Sequence, residues 1–371
     1  MRTVWEYAET ETGIKLCRVY GEDVCPEVPE SLEGRSVEAI GPYCFSAEEI
    51  PRRFREAQLR RQAAGETFLE AGEETPVRGE RLRRVVLPET VKSVGDYCFY
   101  GCGKLESIGF SHCLERIGSG AFMGCGSLRQ MEYTTSGSFR ALAKVLSEVR
   151  YAVTVSVTEG EKRFSLVFPE YYEASVENIP ARIFEVHFRG TGYRYRQCFR
   201  DGRLDLTEYD GLFPLAAGQE PVPVLVRLAY LRLLYPEGLS AEAKERYLDW
   251  FGRRVREAGR YLLEQDDLEA IRFLTEAGAF DRTAAPEAVR REERSRKTAD
   301  GAGDFYMASL GEDIVEGAVR EEEDGRSGRE EPALDVLTEL AAGLGRTEAV
   351  GFLMDHRHKR GGTKKKKTFD L

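Results

Sequence analysis

Residues 98–105 read CFYGCGKL and residues 121–128 read AFMGCGSL, so a short motif recurs 23 positions later with its Phe, two Gly, Cys and Leu retained. The same offset relates further apolar positions, and three consecutive copies are recognisable between about residues 82 and 136. A fixed period in the twenties is typical of solenoids, in which each unit buries its apolar face only by stacking on its neighbours. We therefore predict a stacked repeat that places Phe99 beside Phe122.

An earlier copy precedes these three. Residues 37–45, VEAIGPYCF, match residues 91–99, VKSVGDYCF, at an offset of 54 rather than two periods. We attribute the difference to an insertion over residues 46–81, in which FREAQLRRQ has a helix-like pattern. Repeat proteins place such insertions in loops on one face. Within the copies, apolar residues two apart predict short strands with one face inward, which leaves one position of each strand facing outward: Val86, Gly109 and Glu132.

The repeats resemble those of the BspA-like bacterial leucine-rich repeat family. The matching elements are LPETVKSVGDYCFYGCGKLESIGF at 87–110 and CLERIGSGAFMGCGSLRQM at 113–131, and the resemblance covers about residues 1–136. It implies a leucine-rich repeat solenoid that is used for protein interaction. The chain differs from the family pattern in having few repeats, one long insertion and no secretion signal at its start.

Residues 138–235 predict a small mixed α+β module. FRALAKVLSEV is helix-like, and YAVTVSVT and KRFSLVF alternate as in a β-hairpin. We predict a second strand pair from IFEVHF and YRYRQCF, with Gly190, Thr191 and Gly192 between them.

Residues 236–358 predict helices, with Ser240 and Asp267 as N-caps. The segment DDLEAIRFLTEAGAFD at 266–281 resembles the second half of an ankyrin repeat, and RTEAVGFLMDH at 346–356 is a weaker copy. The resemblance implies ankyrin-like helix pairs. Dense charge predicts a mobile insertion at 282–331 and a disordered basic tail at 359–371. The fold class predicted for the whole chain is α+β.

Composition and charge make several classes of protein less consistent with this sequence. The net charge is −10, which disfavours a nucleic-acid partner, and no apolar run is long enough to cross a membrane. The start of the chain carries no signal-peptide core, and eight cysteines are too sparse for a disulfide scaffold. We therefore expect a soluble, cytoplasmic protein.

The motifs that carry chemistry in other proteins fail here in their spacing. Four cysteines could in principle bind zinc: Cys98, Cys102, Cys113 and Cys125. They lack the paired Cys-x-x-Cys spacing of zinc sites, and we predict that they pack in the interior of the stacked repeats. Gly103-Lys104 lacks the other residues of a phosphate loop, and Gly118-Ser119-Gly120 lacks the third dinucleotide glycine. We predict no cofactor, no metal and no catalytic residue.

The leading functional prediction is a non-catalytic scaffold that binds a protein partner through the outward repeat positions and the 46–81 insertion. One alternative is an enzyme whose site in residues 138–235 uses His187, Cys198 or carboxylates, with the repeats as a recruiting arm. A second alternative is a nucleic-acid-binding adaptor that uses Tyr193–Arg196 and the four lysines at 364–367.

Overall fold

The computed structural model describes residues 3–64, 75–178, 183–284 and 331–366. Chain contacts divide the protein into two compact units, Met1–Ala243 and Lys244–Leu371. The boundary that the sequence predicts near residue 136 lies inside the first unit, because the repeat sheet continues into the segment that follows.

Strands dominate the first unit, and the bounds among the described residues are β1 Thr3–Glu9, β2 Ile14–Gly21, β3 Ser31–Leu32, β4 Arg35–Ile40, β5 Arg60–Ala64, β6 Arg84–Val86, β7 Ser93–Val94, β8 Ser107–Ser111, β9 Arg116–Ile117, β10 Gln130–Thr135, β11 Val153–Glu159, β12 Lys162–Phe168, β13 Tyr172–Asn178, β14 Ile183–Arg189, β15 Phe199–Arg200 and β16 Arg203–Leu204. Sheet A has the order β5-β1-β2-β4-β7-β9, with β3 paired to β4. Sheet B has the order β12-β11-β10-β8-β6. Two further hairpins are β13-β14 and β15-β16.

The helices among the described residues are α1 Arg140–Glu148, α2 Gly192–Tyr195, α3 Leu206–Gly211, α4 Phe213–Gln219, α5 Val222–Leu234, α6 Ala241–Arg253, α7 Val255–Glu264, α8 Leu268–Glu276, α9 Ala333–Gly343 and α10 Thr347–Lys366. Two short 3-10 helices span Arg52–Phe54 and Gly79–Arg81. The last helix continues past residue 359, where we expected the tail to begin.

The repeated segments lie side by side with the offset read from the sequence. In sheet B the strands β6, β8 and β10 run parallel, and Val86, Gly109 and Glu132 are aligned across them. In sheet A the strands β4, β7 and β9 are also parallel, and Ile40 pairs with Val94, which pairs with Ile117. The offset of 23 residues, and that of 54 across the insertion, are therefore the registers of these ladders.

A column of phenylalanines joins the copies on a third side. Phe99 is fully buried, and its ring centroid lies 5.3 Å from that of Phe45 and 5.2 Å from that of Phe122. The backbone amides of Phe45 and Phe99 donate to carbonyl oxygens of the next copy, those of Cys98 and Ala121. Each copy thus buries the aromatic ring of its neighbour, as the period predicts.

Two local predictions are wrong. FREAQLRRQ does not form an α-helix: β5 pairs antiparallel with β1, and Arg60 and Arg61 form ion pairs with Glu9 and Glu6. Strand β1 would otherwise leave backbone groups unpaired at that edge, and this pairing outweighs the helix propensity of the segment. By contrast, α1 and the β11-β12 hairpin confirm the predicted elements around them.

The second predicted strand pair is also replaced. IFEVHF lies on β14, but its partner is β13, which precedes it, and YRYRQCF instead opens with the one-turn helix α2. Gly192 permits this turn, because a Cβ there would lie 2.0 Å from the Pro169 carbonyl oxygen.

The described part of the second unit is helical. The Asp267 side chain accepts a hydrogen bond from the backbone amide of Ala270, and at the end of the first unit the Ser240 side chain accepts one from the backbone amide of Ala243, as predicted for N-caps. Helix α7 packs on α9, where a Cβ at Gly259 would lie 2.6 Å from Leu337 Cδ1. A larger residue at position 259 would therefore require the Leu337 side chain to shift.

The pairs α7-α8 and α9-α10 share their turn geometry. Asp266 and Gly345 both have left-handed backbone, with φ of 57° and 69°, and they lie 79 positions apart. EAIRFL at 269–274 and EAVGFL at 348–353 follow them at the same offset.

The predicted insertion at 282–331 falls mostly outside the described residues, but both of its ends are held together. Thr283 and Pro332 form an antiparallel bridge, and the Ala284 amide donates to the Glu331 carbonyl at 2.9 Å. Residues 284 and 331, which flank the rest of the insertion, therefore lie next to each other.

Replacing residues 285–330 by Asn-Gly is expected to leave the second unit folded, because two residues of this type close an antiparallel bridge and a shorter loop costs less entropy. The measurement is the thermal midpoint and helical circular dichroism of the full chain with and without the replacement. Loss of helical signal corresponding to α7–α10 would contradict the prediction.

Candidate functional site

An ion pair links two of the repeats at the outward side of sheet B. The Arg84 guanidinium spans two repeats and contacts the Glu132 carboxylate at 3.0 Å, and it also pairs with Glu27. Gly109 lies buried between them, where a Cβ would be 3.2 Å from a Val86 methyl group. Of the three predicted contact positions, Gly109 is thus covered and Glu132 is engaged within the chain.

A second surface of the repeats is aromatic, and we call it the aromatic strip: Phe54, Tyr43, Tyr97 and Tyr100. Its ring centroids follow one another at 5.7, 5.3 and 5.9 Å, and all four side chains are half-buried. Tyr43 and Tyr97 occupy equivalent repeat positions, whereas Phe54 comes from the insertion. The strip therefore joins the 46–81 insertion to the repeats.

The two equivalent tyrosines have an unusual backbone. Tyr43 and Tyr97 have φ of 58° and 54°, and the third repeat places Gly120, with φ of 62°, at the same position. A left-handed conformation costs a bulky residue about 1 kcal/mol or more, whereas glycine adopts it freely. A Cβ at Gly120 would lie 2.7 Å from the Tyr97 ring, so this ring extends across the next repeat.

The insertion also brings positive charge to one end of the strip. The Arg53 guanidinium lies 4.8 Å from the centre of the Phe54 ring. Arg52, Arg53 and Arg55 are exposed, and no carboxylate in the described part of the chain pairs with them, although Arg55 donates to the Ile50 carbonyl. This end of the strip presents cations in a chain that is acidic as a whole.

A pocket of about 270 Å³ adjoins the strip at Phe54. Ile50 and Leu59 line it from the insertion, and Gly41 and Pro42 line it from the first repeat. Charged residues line it too: Lys15 pairs with Glu56 at 2.5 Å, whereas Glu6 and Glu49 pair with Arg61 and Arg78, which lie outside the pocket. The pocket therefore combines an apolar lining with charged groups that have partners.

The repeat cysteines have a role beyond filling space. The Cys102 thiol donates to the Phe45 carbonyl at 3.1 Å, and the Cys125 thiol donates to the Phe99 carbonyl at 3.2 Å. Each contact joins one repeat to the preceding one. The cysteines are free thiols, and Cys113 alone of the four considered as zinc ligands is not fully buried.

Burial raises the pKa of several acidic groups in this unit. It raises the pKa of Cys17 to about 11, that of Cys102 to about 12, and that of Tyr133 to about 12. The pKa values of Cys44 and Cys98 are raised as well, again by burial. These thiols stay protonated near neutral pH and are poor nucleophiles.

The stability of the first unit is expected to fall as the pH rises above 9. Unfolded thiols ionise near pH 9, whereas the folded pKa of Cys102 is about 12, so the stabilisation is complete below pH 9 and decreases until the folded thiol ionises. Each such group contributes a loss of about 1.4 kcal/mol per pH unit. Urea unfolding between pH 8 and 10.5 measures this slope. A slope that is unchanged in Cys102→Ala would contradict the assignment.

The middle module shows two buried arginines in structural roles. Burial lowers the pKa of Arg196 to about 10. Its guanidinium donates to five backbone carbonyl oxygens, those of Leu146, Val149, Tyr151, Pro169 and Gly192. Arg232 forms a two-pronged ion pair with Asp210, with both distances 2.8 Å, and donates to the carbonyls of Tyr235 and Glu237.

The residues proposed for the two alternative functions are placed unfavourably where they are described. Cys198 is buried, which raises its pKa to about 12, and the His187 side chain lies outside the described residues. Tyr195 is also buried, whereas Tyr193 stacks on Phe188 at 3.8 Å. Within Tyr193–Arg196, Arg194 is the exposed cation.

The structure shows stacked copies of a 23-residue segment, and one known family matches this part of the chain. Residues 78–144 match the family described as BspA type Leucine rich repeat region (6 copies). Leucine-rich repeats are generally protein-interaction motifs. No curated protein and no solved structure gives a significant match to the chain. In the described segments, no helix has the length and apolar character needed to span a bilayer.

Sequence reasoning identified the repeats but missed the aromatic strip. The available signal was the repeat alignment itself, which places Tyr43 and Tyr97 opposite a glycine at 120. Nothing in the sequence indicated that Phe54 would return to these rings, because the segment around it has the pattern of a helix.

Proposed function

We propose that this chain is a non-catalytic interaction protein that binds a protein partner through a surface of its leucine-rich repeat solenoid. The observation that carries the proposal is the aromatic strip, which the fold maintains although Tyr43 and Tyr97 adopt the backbone that glycine adopts at 120. Strained positions of this kind cluster at functional sites. A half-exposed aromatic surface is also the composition that protein interfaces favour.

The contact surface in this proposal differs from the one we expected on sheet B. There Arg84 and Glu132 pair with each other beside the buried Gly109, whereas the strip offers aromatic surface next to a pocket. We therefore assign partner binding to the strip and to the part of the 46–81 insertion that carries Phe54.

We further propose that the second unit is an ankyrin-like array. Residues 285–330 number 46, and without them the 79-position offset between Asp266 and Gly345 becomes 33, the period of ankyrin repeats. The bridge between Thr283 and Pro332 supports this interpretation, because it joins the flanking chain where the extra residues depart.

The enzyme alternative has weaker support. In the described part of the middle module the buried Asp210 and Arg232 pair with each other, and burial keeps the Cys198 thiol protonated. The eight free cysteines support a reducing, cytoplasmic compartment for the proposed scaffold.

Capture of partners from native lysate with the full chain and with Tyr43→Gly/Tyr97→Gly tests the proposal. A surface variant is preferable to deletion of residues 1–136, which would remove β10 from β11 in sheet B. We expect the proteins retained by the native chain to be lost with the variant, while Arg163→Gln, at an exposed position on β12, retains them. The same proteins bound equally by all three chains would refute the assignment.

A further inference from the structure

We propose that the aromatic strip, with Arg52 and Arg53 beside it, binds an acidic peptide segment of the partner protein. This inference rests on the proposed function and adds the chemistry of the partner. It starts from a difference in ion pairing among the described arginines of the insertion. Arg60 and Arg61 have carboxylate partners, whereas Arg52 and Arg53 have none among the residues that the structure describes.

The 3-10 helix Arg52–Phe54 fixes where these cations lie. Phe54 packs on Tyr43 with ring centroids 5.7 Å apart, and the Arg53 guanidinium covers the Phe54 ring. The two charges are therefore held at one end of the strip rather than on a free loop. A partner that carries carboxylates beside apolar or aromatic side chains would match both features at once.

The geometry of the rings favours a peptide over a single-stranded nucleic acid. Tyr43 and Tyr97 are tilted by 33°, and Tyr97 meets Tyr100 edge-on at 87°. The rings thus pack on one another and leave no gap in which a base could insert between them. Base stacking is the main sequence-independent contribution to single-strand binding, and the net charge of −10 opposes a phosphate backbone.

The pocket next to Phe54 supplies the apolar half of the recognition. Its lining from Ile50, Leu59 and Pro42 suits one side chain of the peptide, while carboxylates of the same peptide reach Arg52 and Arg53. Leu59 is 47% exposed, so its burial by a partner would remove apolar surface from water.

Fluorescence polarisation of the full chain with defined probes tests the inference. The probe is a fluorescein-labelled peptide of four Glu-Tyr-Glu repeats, and the comparison probes are the same peptide with Gln or Lys for Glu and a 12-nucleotide oligouridine. We expect binding of the Glu peptide alone. Arg52→Gln/Arg53→Gln should weaken it by about tenfold, since the two ion pairs lost are exposed to solvent and together contribute on this scale.

Two variants make the result specific. Arg163→Gln/Arg203→Gln removes the same charge from exposed positions outside the strip and should leave the affinity unchanged. Tyr97→Gly introduces the residue that the third repeat uses at 120, so we expect a folded chain with weakened binding. Equal loss in both arginine pairs, tighter binding of the oligouridine, or no binding of the Glu peptide would each overturn the inference. Partner capture that depends on Tyr43 and Tyr97 would meanwhile leave the proposed function standing.

Discussion

Phe99→Ala is expected to cost about 3–5 kcal/mol of unfolding free energy in the first unit, the range for removing a buried aromatic ring. Phe99 is fully buried and stacked on both sides, by Phe45 and Phe122, so the cavity would interrupt the column that joins three repeats. Since domains commonly have only about 5–15 kcal/mol in total, a large share of the stability of the unit would be lost.

Urea denaturation followed by circular dichroism measures this loss. Met123→Ala is the matched control, because Met123 follows the equivalent residue Phe122 but is 55% exposed. It should change stability little. Similar losses in the two variants would show that the column is not what holds the repeats together.

Asp210→Ala is the second substitution for which we expect a large effect, a loss of about 3–5 kcal/mol. The Arg232 side chain is only 1% exposed, and without the Asp210 carboxylate its buried charge would lose this ion-pair partner. Replacement of both residues by Leu should recover much of the loss, because no charge is then buried.

The same denaturation experiment measures the stability of Asp210→Ala and of the double Leu variant. Glu208→Ala, which breaks the exposed ion pair with Arg200, is the control and should have a much smaller effect because solvent screens that pair. If Asp210→Ala and the double Leu variant are equally destabilised, the loss arises from packing and not from the buried charge.

The sequence predicted those parts of the fold whose physical cause is periodic. Phe99, Phe122 and the aligned positions of β6, β8 and β10 follow from one 23-residue offset, because stacking requires equivalent residues to meet. The caps at Ser240 and Asp267 were predictable for a similar reason, since a helix start needs a local acceptor for its free amides.

The failures occurred where a distant partner decides the structure. Arg60 and Arg61 lie in a helix-like pattern but pair with a strand more than fifty residues earlier. The sequence pattern around Arg196 predicts an exposed cation, yet its guanidinium donates to five backbone carbonyls from several segments. The aromatic strip depends on Phe54 in the same way, so its chemistry became visible only when the chain was folded.

The bridge between Thr283 and Pro332 has an evolutionary consequence. Because the helices on either side are already joined there, mutation can lengthen, shorten or exchange the intervening sequence without disturbing their packing. Lineages of this protein are therefore free to diversify at this point, and differences in gene length among them should concentrate between Ala284 and Glu331.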